Sequence, residues 1–140
     1  MLYEPLAKMV EDNKAELARR VAETVQERKL RLFQSFKSEQ IVPRVTVPLE
    51  MIARYLRNGD PNEWRNYVAE TSNYFRKRGY TADEVNAIGY VLSEKILEMM
   101  EEKMGGPNRA AERQRYSRRI EGLTTLAGIS SINAHVKNKD

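Results

Sequence analysis

The chain has 140 residues, with 24 basic and 20 acidic side chains, no cysteine and one histidine. That length suits one domain spanning residues 1–140, able to bury roughly two-thirds of the surface its unfolded chain exposes, and the missing cysteines exclude disulfides, thiolate chemistry and cysteine-ligated zinc. Residues 1–104 carry 17 basic and 17 acidic side chains, so the whole net charge of +4 sits in residues 105–140, too small an excess for a dedicated phosphate-binding surface.

Leu6, Met9, Val10, Asn13, Leu17, Val21, Val25 and Leu32 recur at helical spacing through a segment free of internal glycine and proline. This predicts one long first helix from about Pro5 to Phe36, with Glu16, Arg19, Arg20 and Glu23 on a solvated, mixed-sign opposite face. Ser38 to Pro48 reads as a loop. Pro43 and Pro48 push the residues before them toward extended geometry, and Val42, Val45 and Val47 favour it, yet no other β-branched run offers a strand to pair with. Pro48 then opens a short second helix carrying Leu49, Met51, Ile52, Tyr55 and Leu56, which ends at Asn58-Gly59.

Asp60-Pro61-Asn62-Glu63 has the form of a capping box with proline at the first helical position, and starts a third helix that runs to Arg78. Its stripe is Trp64, Tyr67, Val68, Thr71, Tyr74 and Phe75. Gly79 follows the basic run Arg76-Lys77-Arg78 and suits the left-handed position after a helix end. Thr81 and Glu84 form a second capping box, and Val85, Ile88, Leu92, Ile96 and Met99 make one face of the fourth helix, ending before Gly105-Gly106-Pro107. Met99, Met100 and Met104 read as adaptable core filler. Gly89, inside that helix, costs about 1 kcal/mol relative to alanine, and a close helix crossing is the expected compensation.

A fifth helix is expected from about Asn108 to Val136. Arg109, Arg113, Arg115, Arg118 and Arg119 dominate its first half; Tyr116, Ile120, Leu123, Leu126 and Ile129 stand in a stretch apolar over much of its circumference. Burial on two sides follows, one against the chain itself and one against a second copy, which makes those five residues the expected homodimer interface. The fold class is all-α, five helices in a bundle-like single domain with a long C-terminal helix.

Chemistry-bearing constellations are missing from this pattern. His135 is the sole histidine and has no second ligand for a metal; no glycine-flanked nucleophile or phosphate loop occurs; Asp83-Glu84 belongs to a helix start. No cofactor and no enzymatic activity are expected. The aromatic stripe is either core or, through Trp64 and Tyr67 with Tyr90 of the next helix, the wall of a ligand pocket. The Arg109 to Arg119 segment is either a solvated collar or, with Tyr116 stacking on a base, a phosphate contact. No apolar run nears the roughly 20 residues of a membrane span, and the acidic start MLYEPLAKMVED lacks a signal peptide's regions, so a cytoplasmic protein without membrane attachment is expected.

Three stretches carry a family resemblance: PLEMIARYLRNGDP, then FRKRGYTADEVNAIGYVLSEKILEMM, then RRIEGLTTLAGISSINAHV. They cover over half the chain. Their order, a leucine-rich short helix, an acid-proline start, an R-x-x-G-x-(S/T)-x-x-E-(V/L) corner and a long last helix, resembles the N-terminal sensor domain of the RsbR-type co-antagonists of the bacterial stressosome. The resemblance implies a globin-like fold without haem, dimerisation through terminal helices, and passage of a signal to a downstream partner. In that family the partner is normally a phosphate-accepting STAS domain, and this sequence stops at Asp140. The expected function is a non-enzymatic, dimeric sensory or regulatory module relaying a ligand or partner signal through its C-terminal helix. The alternative is a small nucleic-acid-binding protein using Arg109 to Arg119.

Overall fold

The computed structural model describes residues 4–105 together with 111, 113–115, 117, 118 and 120. Every regular element among them is helical: α1 (Glu4–Asp12), α2 (Lys14–Glu27), a short 3-10 helix (Arg31–Phe33), α3 (Ser38–Asn58), α4 (Asn62–Arg76) and α5 (Ala82–Met104). The fold class is all-α. None of these helices is long and apolar enough to cross a membrane.

The first apolar stripe is buried, but not as one helix. Leu6, Val10, Leu17, Val21 and Val25 are all within 1% of complete burial. The ladder is interrupted at Asn13, whose φ of −116° and ψ of 16° leave the helical region. Its side-chain amide donates to the Met9 carbonyl at 2.8 Å, a local bond that competes with regular helix. The second departure from the single-helix expectation comes at Glu27. Leu30 N–H donates to the Val25 carbonyl and Lys29 N–H to that of Gln26, both at 3.1 Å, which is a Schellman ending. Lys29 takes the left-handed position at φ 54°, where glycine is usual. The turn carries Phe33 inward, where its ring meets Phe36 at 5.7 Å and Phe75 edge-on at 6.2 Å.

The segment expected to be a loop is helix. α3 runs unbroken through Pro43 and Pro48, because Ile41, Val45, Pro48, Leu49, Ile52, Ala53 and Leu56 form one buried stripe along it. Each proline removes an intrahelical hydrogen bond at a typical cost of about 3 kcal/mol. Burying a side chain of the size of Ile41, Val45 or Leu49 contributes about 1.5–3 kcal/mol, so the stripe outweighs both the prolines and the β preference of the valines. α3 stops at Gly59, φ 72°, whose N–H donates to the Tyr55 carbonyl.

The expected capping box at α4 does not form: Asp60 Oδ1 accepts from the Asn62 amide at 3.0 Å, two residues on, and Glu63 takes a hydrogen bond from Arg54 Nε at 2.8 Å. At the start of α5 both halves are made: the Thr81 hydroxyl accepts from the Glu84 amide at 3.2 Å, and Glu84 accepts from the Thr81 amide at 2.9 Å. Gly79 has φ 89° in the turn before it.

α3 packs against α1, α2 and α4, and α5 packs against α2, α4, α1 and the 3-10 helix. Four of the nine residues of α1 and six of the 14 of α2 are buried, while α4 has three of 15: Trp64, Val68 and Ser72. α4 is therefore the least anchored of the long helices, and the one whose removal from the core exposes least. Met99, Met100 and Met104 are buried in the core at the end of α5.

Candidate ligand pocket

Because α4 is held at few points, the packing of α3, α4 and α5 leaves an open apolar cavity of about 450 Å³ between them. α3 contributes Val45, Val47 and Pro48; α4 contributes Trp64, Tyr67, Thr71 and Tyr74; α5 contributes Val85, Ile88, Gly89 and Leu92. Leu32, Phe33 and Phe75 also line it. The volume falls in the range typical of small-molecule sites, and so does the lining, apolar and aromatic with few polar groups.

Trp64 and Tyr67 stack with ring centroids 5.9 Å apart and planes 23° from parallel. Trp64 is 4% exposed, and its indole N–H is buried with no acceptor. Burial pushes the Tyr67 phenol above its ordinary pKa, against a hydrogen bond with the Thr71 side chain that works the other way, so it stays a neutral hydroxyl. At the rim, Val47 and Tyr74 are about half exposed, and the Arg78 guanidinium lies 3.4 Å from the Tyr74 ring centroid. Phe75 anchors the adjoining wall through edge contacts with Tyr74 at 5.1 Å and Tyr80 at 5.6 Å.

Of the three pocket residues expected from sequence, Trp64 and Tyr67 line the cavity together. Tyr90 does not: it is 59% exposed and points away from the lining formed by its neighbours Ile88, Gly89 and Leu92. The helical period gives the reason, since Tyr90 lies one position from Gly89 and two from Ile88, and so leaves their face. Sequence reasoning missed the α3 wall entirely, because Val45, Val47 and Pro48 were assigned to a loop. Gly89 faces no close helix crossing; a Cβ built on it meets nothing within 4 Å.

Of the expected dimer residues, Ile120 is 1% exposed inside a single chain, so its side chain has no surface left for a second copy. Tyr116, Leu123, Leu126 and Ile129 lie outside the described residues, as does His135. In the basic segment, Arg113 is engaged with Glu101 of α5, and Arg115 and Arg118 are exposed; Arg109 and Arg119 lie outside the described residues. No group of three or more metal-ligating side chains occurs among the described residues. Comparison with protein-family models, with curated proteins and with solved structures gives no match.

Proposed function

We propose that this protein is a non-enzymatic sensory or regulatory module that takes a ligand between α3, α4 and α5 and relays its presence along α5 to the C-terminal segment. The observation that carries the reading is the span of α5. At one end its residues Val85, Ile88, Gly89 and Leu92 line the pocket; at the other its Glu101 holds Arg113, and Met104 sits in the same core as Ile120. A helix is stiff over this distance, so a ligand that displaces α5 at the pocket moves the surface on which the following segment rests. The few buried residues of α4 favour the same reading, since entry requires an element that moves at little cost.

Such a module would act as a homodimer, in the cytoplasm, with a downstream signalling protein or STAS-type domain as its output, as in the RsbR-type sensor domains it resembles. A globin-like arrangement of its helices belongs to the same proposal. The nucleic-acid alternative has less support: Arg113 is engaged by Glu101, and residues 1–104 balance their charges.

Amide hydrogen exchange on the full chain tests the relay. Gly89→Leu places a side chain in the pocket; altered protection at residues 97–104 and 113–120 is expected, and exchange changed only around residues 85–92 overturns the relay. Sedimentation of the same samples is expected to give a dimer, and a monomer at every concentration removes that part of the proposal. Retention on heparin that falls steeply with salt would favour the nucleic-acid reading instead.

A further inference from the structure

Gly89 stands inside a 23-residue helix, where glycine is destabilising relative to alanine. Neither of the usual reasons for a glycine applies. Its φ is not in the left-handed region, and a Cβ there would meet no atom within 4 Å. What the missing side chain supplies is room in the cavity that Gly89 lines.

Five aromatic rings line the cavity, those of Phe33, Trp64, Tyr67, Tyr74 and Phe75, with Trp64 and Tyr67 stacked on each other. Charge narrows the choice further. Among the described residues, the only charged ones in the lining are Arg44 and Glu70, one of each sign, both exposed and not paired with each other. Arg44 is occupied with the Gln40 carbonyl at 2.7 Å and with the Phe36 ring, 4.6 Å from its guanidinium. The mouth thus offers an ionic head group no net attraction.

Resting on the sensory reading above, we infer that the pocket takes an uncharged, ring-bearing apolar molecule, packed among these rings and extending toward Gly89. The ring system packs against the aromatic lining, and the glycine admits the width that a larger residue would fill. An ionised head group finds at the mouth only two exposed charges of opposite sign, one of them already engaged.

The test uses the full chain and N-phenyl-1-naphthylamine, an uncharged fluorescent ring compound. Trp64 is the only tryptophan, so energy transfer from it to the probe reports on this wall alone. Saturable binding of one probe per chain is expected, weakened at least about tenfold by Gly89→Leu. The melting temperature of that variant is expected to stay at or above that of the parent, which separates filling of the pocket from loss of fold. Displacement of the probe then compares 2-ethylnaphthalene with laurate and dodecylamine, and the uncharged ring compound is expected to win by about tenfold.

Non-saturable binding, indifference to Gly89→Leu, or displacement by laurate or dodecylamine more tightly than by 2-ethylnaphthalene each overturns the inference. Probe binding with no change of exchange at residues 113–120 removes the relay and leaves the ligand class standing. Absent probe binding, while Gly89→Leu still alters that exchange, does the reverse.

Discussion

Lys29 holds a backbone conformation that an L side chain pays for. At φ 54° it occupies the position where a Schellman ending ordinarily has glycine, and both of that motif's hydrogen bonds are made around it. Its side chain is exposed and offers no packing in return. Lys29→Gly is therefore expected to stabilise the chain by about 1 kcal/mol, less the extra entropy glycine gives the unfolded state. A chemical denaturation curve with a raised midpoint and unchanged slope is the expected result; a lowered midpoint would mean that the turn is not left-handed in solution. Gly89 is the opposite case. Its conformation is ordinary and its Cβ direction open, so Gly89→Ala is expected to raise stability by up to about 1 kcal/mol through helix propensity. Of these two positions only Gly89 was conspicuous in the sequence. Lys29 carried no signal, because nothing in a lysine announces a positive φ.

α3 shows why one wall of the pocket was illegible. Ile41, Val45, Leu49, Ile52 and Leu56 follow a helical period that any window over residues 38–58 contains, but the two prolines and three valines argue locally for extended chain. Local preference and periodicity conflicted, and burial decided between them. By contrast the two ends of α5 were legible, since its cap and its terminating glycine agree with its apolar period, although Tyr90 and the setting of Gly89 inside it were not. The long first helix was half legible. Its apolar face was right, while its interruptions depend on a side-chain hydrogen bond at Asn13 and on the turn that delivers Phe33 to the aromatic cluster. The prolines give α3 a direct test. Pro43 is exposed and inside the helix, so Pro43→Ala restores a backbone hydrogen bond and is expected to stabilise by about 2 kcal/mol, after the unfolded-state entropy that proline removes is subtracted. Pro48 is buried against the pocket, so Pro48→Ala should gain less because it also empties part of the wall. A loop over residues 38–48 would give the opposite sign at Pro43, with alanine loosening the unfolded chain and repairing nothing.

Across the whole molecule, the balance of 17 acids and 17 bases in residues 1–104 is realised as pairs that tie helix to helix. Arg57 of α3 binds Glu4 at 2.9 Å and also Glu11, both on α1; Lys14 of α2 meets Glu50 of α3 at 3.1 Å; Arg20 of α2 reaches Glu102 of α5 through two bonds of 3.0 Å. Exposed pairs of this kind are individually weak, about 0–1 kcal/mol, but several of them titrate together. Arg19 and then Arg20 hold the Glu16 carboxyl down to about 2; Arg20 lowers Glu102, and Arg57 lowers Glu11. Each of these groups is more acidic folded than unfolded, so the folded state is favoured while they are ionised. Their contribution is complete above the unfolded carboxylate value near 4.5 and is lost as pH falls through the folded values, toward about 2 for Glu16. The melting temperature is expected to be nearly flat above that window and to drop within it. Arg20 faces two of the three carboxylates, so Arg20→Gln should reduce that drop as well as the plateau, whereas Arg54→Gln, which removes an exposed pair with Glu63 at 2.8 Å, should alter neither. Thermal melts followed by circular dichroism across this range decide the matter. An acid-induced drop of the same size in Arg20→Gln and in the parent would mean that the helices are held together in acid by their apolar stripes alone, with the interhelical pairs contributing nothing that protons can remove.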